Sequence, residues 1–117
     1  MLSVAVDFDG TLYRPSPNDS PYHLHGEPMP GAIEFLNAIR SRVRLVVHSA
    51  RGSNWEATCA ATDWLARHGF PPMEFATAKP LAALYLDDKG FRFEGDFGPP
   101  LEFILKLLEG DIETKAP

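Results

Sequence analysis

Two carboxylates two residues apart, Asp7 and Asp9, close the alternating run Leu2-Ser3-Val4-Ala5-Val6 and are followed by Gly10, Thr11 and Leu12. If the chain turns at Gly10, both acids face one site, and glycine permits such a turn. One carboxylate can then attack an electrophile while its neighbour handles protons. Two close anions repel, so the arrangement needs a compensating cation. A hard divalent ion with oxygen ligands supplies it, and magnesium suits a phosphate group best. Taken alone, Asp-x-Asp-Gly reads equally well as a strand that ends in a turn.

A second acidic pair, Asp87-Asp88, follows the apolar run 81–86, with Lys89 and Gly90 behind it. A capped turn is one reading. The other makes Asp87 a metal ligand with Asp88 in support. Ser49 ends the segment Val46-Val47-His48-Ser49-Ala50-Arg51-Gly52. Its hydroxyl, with the neighbouring backbone amides, can bind a phosphoryl oxygen, and Arg51 can add a two-pronged phosphate contact. Ser53 with Glu56 makes the better cap for the next helix, which leaves Ser49 free. Lys79, ahead of Pro80, can neutralise the nucleophile and a transferring phosphoryl group, with Lys89 competing for that role. The candidates are therefore Asp7, Asp9, Ser49 and Lys79 for catalysis. Gly10, Thr11, Ser49, Ala50, Arg51 and Lys79 are the candidates for phosphate binding, and Asp7, Asp9, Asp87 and Asp88 those for metal.

These residues need a scaffold that gathers strand ends. Residues 2–7 read as a strand with its acid at the carboxyl end, and the β-branched run 43–47 as a buried second strand. Between them, residues 10–30 form a proline-rich flap, with Pro30 placed to open a helix. That helix carries Ile33, Leu36 and Ile39 on one stripe, widened by Ala32 and Phe35. A further helix places Ala61, Trp64, Leu65 and His68 on one face, and Gly69 with Pro71 ends it. Trp55 and Trp64, nine residues apart, fall on opposite faces of it. Short strands are expected at 73–75 and 91–93. Pro99-Pro100 opens a last helix with Leu101, Ile104, Leu105 and Leu108 on one face, closed by Gly110.

Strands alternating with helices predict an α/β fold, a three-layer Rossmann-like parallel sheet with helices on both faces and no cap domain. One domain over 1–110 is expected, with the flap at about 11–29 and a flexible tail at 111–117. In such sheets ligands bind beyond the carboxyl ends of the strands. Asp7, Asp9, Ser49, Asp87 and Asp88 all fall there.

Composition sets the outer limits. The chain has 117 residues and a net charge of −5, which argues against a general nucleic-acid-binding surface. No apolar run is long enough to span a membrane. The start of the chain lacks signal-peptide character, and the single cysteine, Cys59, agrees with a reducing compartment, so a cytoplasmic location is expected. Cys59 reads as buried packing among alanines. His23 and His25 make a His-x-His in the flap, weak as a metal site.

In order, Asp7-Phe8-Asp9-Gly10-Thr11-Leu12, then Ser49 after an apolar strand, then Lys79, then Asp87-Asp88 resemble the haloacid dehalogenase-like hydrolases. The likeness is greatest to their small capless phosphatases and takes in Pro30-Gly31-Ala32-Ile33-Glu34, Lys79-Pro80 and Leu84-Tyr85-Leu86-Asp87-Asp88-Lys89. The resemblance implies Asp7 as nucleophile and magnesium ligand. It implies Asp9 as acid and then base, its carbonyl also binding the metal. Ser49 would bind the phosphoryl group, Lys79 hold charge in the site and Asp87 complete the metal shell. An acid two residues after the nucleophile suits phosphate esters, whose leaving alkoxide must be protonated. Lys79 stands closer to Asp87 than in many relatives. The implied partner is a phosphorylated small molecule or polymer, with a homo-oligomer as one way to close an uncapped site. Three alternatives remain open: a phospho-acceptor receiver module, whose acidic pair would come first, a non-catalytic interaction module, and a nucleic-acid end phosphatase.

Overall fold

The computed structural model describes residues 2–76, 84–87 and 91–115. Its elements run β1 (Ser3–Asp7), β2 (Tyr13–Arg14), β3 (Glu27–Pro28), α1 (Ala32–Ile39), β4 (Arg44–His48), a 3-10 turn (Ala50–Ser53), α2 (Trp55–Arg67), β5 (Glu74–Ala76), β6 (Leu84–Asp87), β7 (Phe91–Arg92) and α3 (Gly98–Lys115). Strands β5, β4, β1 and β6 pair in that order, all parallel, and the two-residue β7 lies beyond β6. This is the α/β class expected from the alternation of patterns.

β1 sits inside the sheet. Its residues Ser3 to Asp7 register with Arg44 to His48 on one side, and Val4, Ala5 and Val6 with Leu84, Tyr85 and Leu86 on the other. The chain builds outward through β4 to β5 and then returns to place β6 on the far side of β1. That reversal is a topological switch point, where open α/β sheets leave a crevice at the carboxyl ends of their strands.

Successive strand residues point to opposite faces. Val4 and Val6, Leu45 and Val47, Leu84 and Leu86 accordingly share one face and join a single buried cluster. Phe35, Leu36 and Ile39 of α1, Trp64 and Leu65 of α2, and Ile104 and Leu108 of α3 complete it. Ahead of α3, Phe97 packs against Phe35 with ring centres 4.9 Å apart. Among the described residues, no helix is long and apolar enough to cross a membrane.

Several local details differ from the sequence reading. Pro30 does not open α1: Gly31, at φ 82°, is its N-cap, and the helix begins at Ala32. Asn54 rather than Ser53 caps α2, its side chain accepting from the Ala57 amide at 3.1 Å. The Ser53 hydroxyl instead donates to the Ala50 carbonyl at 2.9 Å, inside the 3-10 turn. Cys59 is exposed, because the buried stripe of α2 runs through Ala57, Ala61, Trp64 and Leu65 and Cys59 stands about 200° from Ala57 and Ala61. Leu105 is also exposed, one step of about 100° beyond the buried Ile104. α3 continues through Gly110 to Lys115, where the sequence suggested a stop at Gly110; a glycine costs a helix interior only about 1 kcal/mol.

The flap is built on the core rather than hung over it. β2 and β3 pair antiparallel, Tyr13 with Pro28 and Arg14 with Glu27. The Tyr13 ring, fully buried, stacks on Phe8 at 5.1 Å and meets Trp64 edge-on at 4.8 Å. Its hydroxyl donates to Asp19 Oδ2 at 2.6 Å and accepts from the Gly26 amide at 2.7 Å. Asp19 also accepts from the amides of Ser16 at 3.0 Å and His25 at 2.8 Å, and the Gly26 carbonyl accepts from Trp64 Nε1 at 3.1 Å. No side chain fits at position 26, since a Cβ there would lie 1.9 Å from the Arg14 carbonyl oxygen.

Burial pushes the Tyr13 phenol up to about 12, assisted by its bond to the Asp19 carboxylate. At Asp19, desolvation opposes ionisation, but the Tyr13 hydroxyl and the His25 and Ser16 amides outweigh it and hold the carboxyl below its ordinary value. Asp19 therefore stabilises the flap above its unfolded pKa, and that contribution is lost as the pH falls. Tyr13 stabilises it fully below the unfolded phenol pKa near 10, and the contribution is lost as pH rises through about 12.

Two outcomes are expected. Tyr13→Phe leaves the buried Gly26 amide without its acceptor and should cost about 1–3 kcal/mol, read as a lower urea midpoint at unchanged slope. In a phenolate-absorbance titration, one of the three tyrosines should ionise late, near pH 12, and that late step should vanish in Tyr13→Phe. An unchanged midpoint and a retained late step would show that the flap is anchored by other contacts.

Candidate active site

The carboxyl ends of the three inner strands meet at the switch point. Asp7 ends β1 in register with His48, the last residue of β4. One residue past the Val6–Leu86 pair on each strand stand Asp7 and Asp87, Asp87 being described in its backbone. Ser49 follows His48 directly. Parallel pairing alone thus brings Asp7, Ser49 and the backbone of Asp87, drawn from distant parts of the sequence, to one rim. Asp88, Lys79 and Lys89 lie outside the described residues.

After Asp7 the chain turns sharply. The Phe8 carbonyl accepts the amides of Thr11, Leu12 and Tyr13, and Gly10, at φ 81°, donates to the Tyr13 carbonyl at 2.9 Å. Only a residue at ease with positive φ suits that corner, which accounts for the glycine. The turn engages the amides of Gly10 and Thr11 internally, and Thr11 is 4% exposed. Asp7 Oδ1 accepts from the Phe8 amide at 2.9 Å, which fixes one oxygen of the expected nucleophile.

Asp9 is gripped by Arg51. Nε donates to Oδ2 at 2.9 Å and Nη2 to Oδ1 at 3.0 Å, the paired geometry that suits a guanidinium and a carboxylate. The third nitrogen, Nη1, donates to the Pro21 carbonyl at 3.0 Å in the flap. The guanidinium carbon also stands 5.5 Å from the centre of the Phe8 ring, within range of a cation–π contact. The Asp9 side chain is 44% exposed against 16% for Arg51, so solvent screens the pair and its net worth is about 1 kcal/mol or less. A phosphate dianion can compete for Arg51 at that cost.

Ser49 has a structural role that its sequence context did not reveal. Its Oγ accepts from the Arg51 amide at 3.2 Å and caps the 3-10 turn. A serine hydroxyl has one proton to donate as well as lone pairs to accept. Capping through a lone pair therefore leaves the Ser49 proton able to reach a phosphoryl oxygen. The turn itself is held by the Gly52 amide on the Ser49 carbonyl and by the Thr58 hydroxyl on the Arg51 carbonyl.

Two contributors escaped the sequence reading. His48 was passed over as a strand residue, yet register sets it beside Asp7, with its ring edge-on to Tyr85 at 6.4 Å. The flap tip, Pro21 and Tyr22, reaches the Arg51 turn, a contact between residues 30 apart in sequence that no local pattern encodes. His23 forms a side-chain contact with Ser20 at 3.1 Å, which gives it a role within the flap.

Among the described residues, no three His, Cys, Asp or Glu side chains converge as a ready-made metal cluster; of the other expected acids, Asp87 is described in its backbone alone and Asp88 lies outside the described residues. A groove of about 490 Å³ is lined by Arg40, Arg44, Met73 and Glu74 among others. It lies by the amino ends of β4 and β5, the opposite edge from Asp7. No family model, curated protein or solved structure matches the chain, and the assignment rests on these residues themselves.

Proposed function

We propose that the chain is a magnesium-dependent phosphate monoester hydrolase of the haloacid dehalogenase-like kind, on a capless, three-layer Rossmann-like domain. One observation carries the reading above all: Asp7-Phe8-Asp9-Gly10-Thr11-Leu12 leaves an inner strand at the switch point, with Ser49 and the Asp87 backbone at the two neighbouring strand ends. Phosphoryl transfer asks a protein mainly for positioning and charge neutralisation. Strand register supplies the first and the mixed charges the second.

In the proposed reaction an Asp7 oxygen attacks phosphorus and the bond to the ester oxygen breaks. Asp9, which takes a proton from solvent once Arg51 has left it, gives that proton to the departing alkoxide, leaving a phosphoryl group on Asp7. Asp9 then takes a proton from water as that water attacks phosphorus, and the bond to Asp7 breaks to release phosphate. The Ser49 hydroxyl donates to a phosphoryl oxygen throughout. Arg51 moves its fork from Asp9 to the phosphoryl group, which frees both Asp9 oxygens for proton transfer. Asp7, Asp9 and Asp87, with Asp88 in support, would supply an oxygen-only donor set that suits magnesium, and the ion would neutralise charge gathered there. Lys79 or Lys89 would add positive charge.

The test is phosphate release from an aryl phosphate, with and without magnesium. Wild type should turn over only with the metal, and Asp7→Asn should lower the rate on the order of 10³-fold or more. Activity that survives in Asp7→Asn removes Asp7 as the nucleophile. For Arg51→Lys the fork is lost although the charge stays, and KM should rise about tenfold, roughly 1.4 kcal/mol of binding. An unchanged KM would leave Arg51 as a partner of Asp9 alone.

A further inference from the structure

Among the described residues, four large apolar side chains are exposed: Tyr22, Trp55, Phe103 and Leu105. The last two belong to α3. The first two stand on the two segments that Arg51 joins at the Asp9 carboxylate. Arg51 Nη1 holds the carbonyl of Pro21, the residue before Tyr22. The Asn54 amide donates to the Arg51 carbonyl at 3.0 Å, and Trp55 comes next in the chain. Asn54 Nδ2 approaches the Tyr22 hydroxyl at 3.5 Å, at the outer limit of a hydrogen bond. A continuous set of contacts therefore runs from the Asp9 carboxylate through Arg51 and Asn54 to the Tyr22 hydroxyl, with Trp55 the residue after Asn54.

The fold gives Trp55 little to do. It is 79% exposed, whereas Trp64 on the same helix is 1% exposed and holds the flap through Gly26. The cap of α2 is Asn54, so position 55 needs only a residue compatible with a first helical turn. An indole left in water four residues after Arg51, at the start of the helix that follows its turn, suits a ligand that brings both a flat apolar face and an anion. Aromatic side chains stack on nucleobases in a way that tolerates any base, because each base offers a π-face.

Resting on the phosphatase reading, we infer that Trp55, with Tyr22 reached through Asn54, forms a stacking platform for the base of a nucleoside monophosphate whose phosphate lies toward Arg51 and Asp7. The net charge of −5 sets the occupant as a mononucleotide rather than a strand of nucleic acid, whose further phosphates call for a basic surface. Tyr22 stands at the flap tip between β2 and β3 and Trp55 opens α2, so the platform spans the edge where the flap meets α2.

The protein carries its own reporter, since Trp55 is the exposed member of its two tryptophans. The measurement uses Asp7→Asn protein with magnesium, so that bound ester is not consumed. Adenosine 5′-monophosphate should quench tryptophan emission saturably, and ribose 5-phosphate should leave emission unchanged. Calorimetry should give about a tenfold tighter dissociation constant for the nucleotide than for ribose 5-phosphate, the scale of one base–aromatic stack. Adding Trp55→Ala should bring that ratio close to one while the thermal midpoint stays within a degree or so, about what an exposed side chain allows. A ratio near one before that change, or a ratio untouched by it, overturns the platform while ribose 5-phosphate binding still upholds a phosphate site. Loss of binding for both ligands overturns the platform and the phosphatase reading together. Much tighter binding of a 5′-phosphorylated oligonucleotide than of the mononucleotide overturns the assignment of the occupant.

Discussion

Two carboxylates that leave one strand two residues apart repel each other, and among the described residues a guanidinium meets one of them, Asp9. Arg51 faces the Asp9 carboxylate with two nitrogens, the flap with the third, and the Phe8 ring with its plane. The Arg51 backbone is fixed in turn by Ser49 Oγ at its amide and by Thr58 at its carbonyl. One side chain thus couples the end of β1, the turn after β4, the start of α2 and the tip of the flap. Because the Asp9 pair is half in water, the coupling is strong in geometry and weak in free energy. That combination suits a resting site whose arginine must change partners when an anion arrives.

The flap depends on a different economy. Residues between Gly10 and Pro30 form little regular structure, and such a segment of about 20 residues is normally costly to order. Here one buried phenol sets its path. Tyr13 reaches Asp19 and Gly26 with its hydroxyl, and Phe8 and Trp64 with its ring. Phe8 sits between Asp7 and Asp9 in the chain and is fully buried. The same aromatic cluster therefore supports both the turn that carries the acids and the loop above them. A firm flap of this kind shapes a site by standing beside it.

What the sequence displayed and what it concealed divide along the range of the interactions concerned. The strand ending at Asp7, the β-branched segment before Ser49 and the helix carrying Trp64 were legible, because alternation and helical period are local patterns of burial. The opposed faces of Trp55 and Trp64 followed from 3.6 residues per turn alone. The cap of α2 was misread, since Ser53 and Asn54 are equally able caps and the choice fell to the 3-10 turn that takes up Ser53. Cys59 was misread because alanines on both faces of α2 blur its apolar stripe. The Arg51–Asp9 pair spans 42 residues and the Trp64–Gly26 bond 38. Contacts of that range arise only when the sheet has set its register, and no periodicity announces them.

Register is also what makes the arrangement chemically economical. In a parallel sheet each neighbour of β1 ends near the same level, so adjacent strand ends deliver side chains to one rim without any dedicated loop. Asp7, Ser49 and the backbone of Asp87 reach that rim through pairings whose stability comes from Val4, Val6, Leu45, Val47, Leu84 and Leu86 on the face below. The core can tolerate conservative exchanges without moving the rim, since main-chain hydrogen bonds hold the strand positions. On the proposed reading, substrate choice falls to the parts that register does not fix: the flap tip at Tyr22 and the first turn of α2 at Trp55. Those parts are tethered to the rim through Arg51, the residue whose charge the anionic group of a ligand would seek first. Recognition of the anion and placement of the remainder of the ligand are in this way joined at a single side chain.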